Sequence, residues 1–324
     1  MLRTAGYIDL KESEARGFDH ADVCLTTGQV FVAHTAANRV DMFDGAALAY
    51  TRSIPGSPHG SGVLYCPEAG WILAAARGAG KLLVLDAGTG DVLRVAAVGP
   101  KPNGIAWDPV RQRALVADVE TRDARCVNPA TGGTLAVTPL PGRPRWCVYD
   151  AARDCFWINI MEPHVVQGLS AADFSLTAAL CAGGRGPHGL ALDRAGGRLF
   201  VACDDARLVA VGADSGSILA ETALAGPPDA IWLNERRGLL YICVGEPGCV
   251  QVMDTAAYAV VDCVETESGA HTLAFDEARQ RLYVFLPETV RAAAYEETGG
   301  VDADGVRRAV GPAGVRSANG SASA

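Results

Sequence analysis

Four of the six histidines stand at similar places in a phrase that recurs along the sequence. Neutral imidazole is the commonest metal ligand among side chains, and it suits zinc, iron or copper better than magnesium or calcium. If the fold carries these rings to one point, each would hold an ion at about 2.0 to 2.2 Å. The sequence thus predicts one transition-metal centre of zinc, iron or copper, formed by His20, His59, His188 and His271.

Three other side chains occupy the same place in further copies of the phrase, namely Asn103, Arg145 and Asp229. Asp229 would be a fifth ligand, a partner that fixes a histidine tautomer, or the general base. Arg145 and Asn103 would orient an anionic or carbonyl group of a substrate. A salt bridge to Asp229 is an equally good interpretation of Arg145. We therefore assign Asp229 and Arg145 as catalytic candidates, and Asn103 and Arg145 as substrate contacts.

The remaining histidines, His34 and His164, fall near loops that return to the same end of the predicted fold. His164 is a candidate acid or base, and its neighbour Glu162 and the more distant His34 are candidate substrate contacts. For any one of these histidines, a polar side chain hydrogen-bonded to channel water is the simpler interpretation.

The elements that would position these residues come from an internal repeat. Its clearest copies are PNGIAWDPVRQRALVAD, PHGLALDRAGGRLFVAC, PDAIWLNERRGLLYICV and AHTLAFDEARQRLYVFL. Seven copies follow one another at steps of 39, 44, 42, 43, 41 and 42 residues, and Asp or Asn opens a turn in five of them. This period matches a four-stranded propeller blade. The sequence predicts an all-β, seven-bladed β-propeller of four-stranded blades.

A ring of blades must be closed, or its edges stay open for pairing. The last copy runs out after its third strand, and the N-terminal GYIDLKESEARG resembles a fourth strand. We expect the N-terminal strand to complete blade seven. Residues 1–312 would form one domain, with an extra strand possible at GVRRAV, and residues 313–324 a flexible tail.

Composition excludes several classes of partner. A net charge of −9 and a pI near 5.2 argue against nucleic acid and anionic membrane surfaces. The N-terminal segment does not resemble a secretory signal and no apolar run is long enough to span a bilayer, so we expect a cytoplasmic protein. It would be a monomer or a weak homo-oligomer. The tryptophans of the strands, Trp107, Trp146, Trp157 and Trp232, are expected mostly in the core.

The segments GRLFVAC, RRGLLYICV and RQRLYVF, with their T-G turns, resemble the YVTN repeat, and PHGL resembles the matching position of NHL-like propellers. Among such propellers, the resemblance to the streptogramin B lyase and the peptide-amidating lyase implies metal-dependent cleavage of a C–O or C–N bond in a small molecule. The four-histidine set is also similar to the iron site of carotenoid-cleaving oxygenases, so an iron or copper oxidoreductase is an alternative. A hydrolase and a non-catalytic binding scaffold remain open, whereas the calcium site of sugar-lactonase propellers is poorly matched.

Overall fold

A computed structural model describes residues 1–10 and 15–297 of the chain. Seven sheets, each of four antiparallel strands in sequential order, follow one another around a central channel. The fold is the all-β, seven-bladed propeller that the repeat predicts. The proposed tail at 313–324 and the last residues assigned to the domain lie outside the described residues.

The strands of the first four blades follow the chain from the innermost strand outward. They are β2 (Ala21–Val23), β3 (Gln29–His34), β4 (Arg39–Asp44) and β5 (Ala49–Pro55) in blade 1; β6 (Gly60–Cys66), β7 (Trp71–Ala76), β8 (Lys81–Asp86) and β9 (Val92–Ala97) in blade 2; β10 (Pro102–Asp108), β11 (Arg113–Asp118), β12 (Asp123–Asn128) and β13 (Gly133–Pro139) in blade 3; and β14 (Pro144–Asp150), β15 (Cys155–Ile160), β16 (Val165–Ser170) and β17 (Leu176–Cys181) in blade 4.

Blades 5 and 6 repeat this order, and blade 7 takes its outermost strand from the N-terminus. The strands are β18 (Pro187–Asp193), β19 (Arg198–Cys203), β20 (Arg207–Gly212) and β21 (Ile218–Ala223) in blade 5; β22 (Pro228–Asn234), β23 (Leu239–Val244), β24 (Cys249–Asp254) and β25 (Ala259–Glu265) in blade 6; and β26 (Thr272–Asp276), β27 (Arg281–Leu286), β28 (Arg291–Glu297) and β1 (Leu2–Asp9) in blade 7. Short 3₁₀ turns occupy Thr35–Ala37 and Arg77–Ala79. No helix within the described ranges is long and apolar enough to cross a membrane.

The recurring aspartates shape the turn between the first two strands of a blade. The Asp108 carboxylate accepts the backbone N–H groups of Val110 and Arg111 at 2.9 and 3.1 Å. Asp150 accepts those of Ala152 and Arg153 in the same way. Such local bonds are why Asp and Asn favour turns, and they fix the length of each innermost hairpin.

The ring is closed by β1, which pairs antiparallel with β28 from Leu2↔Glu297 to Asp9↔Arg291. Ile8 of this strand is 1% exposed and packs in a cluster with Phe43, Tyr283 and Phe285. The expected closure by the N-terminal strand is confirmed.

Replacing Ile8 with alanine should lower the free energy of unfolding by about 2 to 4 kcal/mol, because it removes buried methylene groups and leaves a cavity. Tyr7 lies next to it in β1 and is 54% exposed, so Tyr7→Ala is the matched control and should cost well under about 1 kcal/mol. Urea denaturation of the two variants measures both values. Equal losses would show that β1 closes the ring without this core contact.

Asp22 forms a buried link between blades 1 and 2, since its carboxylate accepts the backbone N–H groups of Val23 and Tyr65 at 2.8 and 2.7 Å. Burial outweighs these two bonds and raises the pKa of Asp22 to about 7. The folded state therefore holds this proton more tightly than the unfolded chain. The resulting stability is complete below about pH 4 and is lost as the pH rises through 7.

Asp22→Asn should remove this pH dependence. The unfolding free energy of the wild type relative to the variant should fall by at most about 4 kcal/mol between pH 4 and pH 8. Denaturation curves of both proteins at the two pH values test this expectation. A difference that stays constant with pH would contradict it.

Candidate functional site at the channel mouth

The register of the strands defines one residue per blade at the mouth of the channel. In blade 3 the turn residue Asp108 pairs with Arg113, and Asn103 lies five positions before it on the innermost strand. The same count from the turn residue of every blade gives the seven residues that we call the mouth ring. They are Asp19, Ser61, Asn103, Arg145, His188, Asp229 and His271.

Adjacent blades approach each other closely just below the mouth ring. A Cβ added to Gly62, Gly104 or Gly189 would lie 2.3, 2.4 or 2.2 Å from the carbonyl oxygen of the ring residue in the next blade. Only glycine fits at that distance from backbone. The G of the PNG and PHG motifs therefore keeps the innermost strands together and narrows the channel under the ring.

This register corrects the predicted position of His59. Gly60 pairs with Ala76, which places Ser61 on the mouth ring and His59 two residues earlier in the preceding loop. His59 has an exposed side chain, and its backbone N–H donates to Asn38 Oδ1 at 2.9 Å. Pro58 precedes the strand instead of starting it, so alignment on that proline shifted the copy by two residues.

His20 lies one residue beyond its expected place, because Asp19 is the ring residue of blade 1. Its imidazole stacks on Trp146 of blade 4, with ring centroids 3.8 Å apart and planes 3° from parallel. Trp146 packs against the core between blades 4 and 5, as expected, and its contact with His20 also joins residues on opposite sides of the channel. The stacked pair forms a floor beneath the mouth ring.

His188 is the best connected histidine of the ring. Its Nδ1 lies 3.0 Å from Asp204 Oδ1, and its Nε2 lies 3.1 Å from Asp229 Oδ1 and 3.2 Å from Arg145 Nη1. Nε2 therefore faces a donor and an acceptor at once. Nε2 can accept a hydrogen bond from Arg145 when the imidazole is neutral, and it can donate one to Asp229 when the imidazole carries a second proton.

His271 faces the same carboxylate from blade 7. Its Nε2 lies 2.9 Å from the Phe18 carbonyl oxygen and 4.0 Å from Asp229 Oδ2. Asp229 thus stands between two imidazoles, as its position between blades 5 and 7 predicts. The structure brings His188, Asp229 and Arg145 together at this side of the mouth ring.

Arg145 has N–H donors that form no strong hydrogen bond with the described residues. Apart from the contact with His188, its Nη2 lies 3.6 Å from Met161 Sδ and 3.9 Å from Asp204 Oδ2, and its buried Nε has no hydrogen-bond partner among the described residues. Burial and the nearby charge of Arg143 lower the pKa of Arg145. An arginine remains charged nonetheless, so this guanidinium favours an additional anion.

The opposite side of the ring is organised by Arg77, which comes from the loop after β7. Its Nη2 donates to Asp19 Oδ2 at 3.0 Å and also to Asn103 Oδ1. Burial opposes ionisation of Asp19, but His20, Arg77 and His271 outweigh it and hold the pKa of Asp19 well below its usual range. Asn103 is therefore held at the mouth by protein contacts.

His34 does not lie at the mouth. Its side chain is fully buried, with Nδ1 2.6 Å from Asp41 Oδ2 and Nε2 2.8 Å from the Ala15 carbonyl oxygen. Both ring nitrogens are thus engaged, and no ring atom is open to a ligand. The predicted substrate contact at His34 is corrected to a structural bond that anchors the segment leading into blade 1.

His164 and Glu162 lie on the same face, beside two grooves that meet at Met161. The smaller groove, of about 280 Å³, is lined by Met161, Glu162, His164, Arg185, Gly186, Asp204 and Asp205. His164 Nδ1 lies 2.5 Å from the Met161 carbonyl oxygen and 3.2 Å from the Gly186 nitrogen. Asp204 lines this groove and also contacts His188, so the groove reaches the mouth ring.

The four predicted metal ligands occupy three different environments: His188 and His271 on the ring, His20 on the floor and His59 in a loop. Within residues 1–10 and 15–297, no group of three or more His, Cys, Asp or Glu side chains is placed to hold one ion. The histidines present therefore do not fit a four-imidazole centre as arranged. The metal centre stays a prediction.

Asp19, Arg77, Asp204 and Trp146 are the members of the site that sequence reasoning missed. Asp19 was missed because Cys24 occupies the turn position of blade 1, where blades 3 to 7 have Asp or Asn to set the count. Arg77 and Asp204 directly follow the second strands of blades 2 and 5. The loop at this position lies on the face that carries the mouth ring. No sequence signal indicates that Trp146, besides packing against the core, also stacks on a histidine across the channel.

Comparison of this chain with protein-family models and with curated proteins finds no match.

Proposed function

We propose that this propeller is an enzyme, of the lyase class, that binds a small carboxylate-bearing molecule at the channel mouth. The observation that carries the proposal is the environment of His188 Nε2, which lies 3.2 Å from Arg145 and 3.1 Å from Asp229. An acid–base group needs both protonation states to be accommodated, and these two partners supply that. The YVTN- and NHL-like repeats and the analogy with propeller lyases are consistent with it, although a fold alone does not confer chemistry.

Each of these side chains would have a separate role in the reaction. Arg145 would bind the substrate carboxylate through its free donors and orient it. His188, held by Asp204 at Nδ1, would take a proton from the carbon next to that carboxylate. Asp229 would stabilise the imidazolium while the leaving group on the neighbouring carbon departs with the bonding electrons. His188 would then return the proton to the leaving group.

The proposal is tested with acetate, malate and benzoate against the corresponding amides by titration calorimetry. Carboxylates should bind and amides should not. Acetate and malate carry hydrogen on the carbon next to a carboxylate, and for whichever of them binds, proton NMR in D₂O should show exchange at that carbon, which His188→Gln should stop; benzoate, which has no hydrogen there, reports binding only. Equal binding of acids and amides, or exchange that survives the substitution, would refute the proposal.

A metal centre is the second candidate. His188 and His20 each have an Asp carboxylate at Nδ1, at 3.0 and 2.5 Å, and ligating imidazoles are commonly oriented in this way. A bound zinc ion would act as a Lewis acid, whereas iron or copper would favour an oxidoreductase. Elemental analysis of untagged protein tests this candidate: a stoichiometric metal that His188→Gln removes would support it, and its absence would leave the acid–base proposal or a binding scaffold.

A further inference from the structure

A second groove on the same face runs over the loop between β15 and β16. It has a volume of about 550 Å³ and is lined by Arg122, Pro141, Gly142, Arg143, Met161, Glu162 and Pro163. This volume falls in the range of small-molecule sites. Met161 also lines the smaller groove and contacts Arg145, so the second groove lies beside the mouth ring.

The charge in this groove is not neutralised. Arg122 and Arg143 are exposed, and neither guanidinium forms an ion pair within the described residues, not even with Glu162 of the same groove. Two nearby cations are paired, Lys101 with Glu120 at 2.8 Å and Arg125 with Asp123 at 3.0 Å. Arg122 and Arg143 instead line one groove together without an ion pair among the described residues.

The backbone holds both arginines firmly in place. The Arg122 carbonyl accepts the N–H of Leu140, and the Arg143 carbonyl accepts that of Met161, both at 2.8 Å. A Cβ on Gly142 would lie 1.7 Å from the Glu162 carbonyl oxygen, so the groove wall is packed against the loop. The two guanidiniums therefore extend from fixed points, which lowers the entropic cost of binding a shared anion.

We infer that this groove is an anion subsite, in which Arg122 and Arg143 bind a phosphate or a second carboxylate of the substrate. The inference rests on the proposed function, because it makes the substrate a molecule with two acidic groups: one at Arg145 in the mouth and one over blade 4. Guanidinium groups match the geometry of both phosphate and carboxylate.

The test measures binding of inorganic phosphate and of succinate at low ionic strength by titration calorimetry. Arg122→Gln and Arg143→Gln should each lower the affinity for whichever anion binds by about fivefold, and the double variant should lower it by about 20-fold or more. Arg94→Gln is the matched control, because Arg94 is an exposed arginine on β9, the outermost strand of blade 2. It should change the affinity less than about twofold. If the affinity for phosphate falls in these variants, the groove binds a phosphate group; if the affinity for succinate falls, it binds a carboxylate.

Two results would overturn the subsite: no binding of either anion by the wild type, or an equal loss in Arg94→Gln. Benzoate, the probe of the mouth, separates this inference from the proposed function. If benzoate does not bind while phosphate or succinate depends on Arg122 and Arg143, the proposed function fails and the subsite stands. If benzoate depends on Arg145 alone and neither anion depends on the groove arginines, only the subsite fails.

Discussion

Arg145→Gln is expected to lower the affinity of the channel mouth for small carboxylates by about 10- to 100-fold. Hydrogen bonds between charged partners contribute about 1.5 to 3 kcal/mol each, and glutamine retains neither the charge nor the paired donors. The loss should be specific to acids, because the amide analogues do not use the charge. Titration calorimetry with benzoate and benzamide measures the effect.

Arg94→Gln makes the same change in charge far from the mouth and should leave benzoate affinity within about twofold, the size expected of a screened long-range effect. Circular dichroism of Arg145→Gln verifies that the blades remain folded. A variant that is folded and binds benzoate as tightly as the wild type would remove Arg145 from the site.

Gly189→Ala is expected to destabilise the protein by about 3 kcal/mol or more, since overpacking against backbone leaves no side chain that can move aside. The added Cβ would lie 2.2 Å from the Asp229 carbonyl oxygen. The innermost strands of blades 5 and 6 would have to separate, which would also displace His188 from Asp229. The free energy of unfolding and the carboxylate affinity should therefore fall together.

Gly88→Ala is the matched control, because its added Cβ would meet only Asp86 Oδ1, at 3.4 Å. Its cost should stay below about 1 kcal/mol. Thermal and urea denaturation of both variants decide the comparison. If Gly189→Ala were as stable as the control, the close approach of the blades below the mouth would not be what positions the ring.

The fold was predictable because its signals are local and repeated. Asp108 and Asp150 open equivalent turns with the same backbone hydrogen bonds, and each turn is followed by a strand of apolar residues. Ring closure followed from the missing fourth strand of the last copy, and Ile8 shows how that strand is anchored. Seven copies made the number of blades unambiguous.

The site was predicted only where the repeat is regular. In blades 1 and 2 the turn position is occupied by Cys24 and Cys66 instead of Asp, so the marker that sets the count of five residues is absent. Alignment then relied on Pro58, which lies in a loop. A shift of one residue in a strand changes which residue is at the mouth, and it moved His20 from the ring to the floor.

Other parts of the site depend on contacts between distant residues and carry no local signature. The stacking of His20 on Trp146 joins blades 1 and 4, and the bond from Arg77 to Asp19 joins residues 58 positions apart. Trp146 packs against the next blade and also reaches a residue across the channel, which no local pattern in the sequence indicates. The burial of His34 against Ala15 has the same origin.

The most direct test of the mouth site is a titration of the protein with benzoate, followed by the ¹⁵N resonances of the histidine side chains. Six histidines are few enough to assign with single substitutions. The imidazole resonances of His188 and His271 should shift together and saturate, whereas those of His34 and His59 should stay unchanged. Saturating shifts at His59, or no shift at His188, would contradict this prediction.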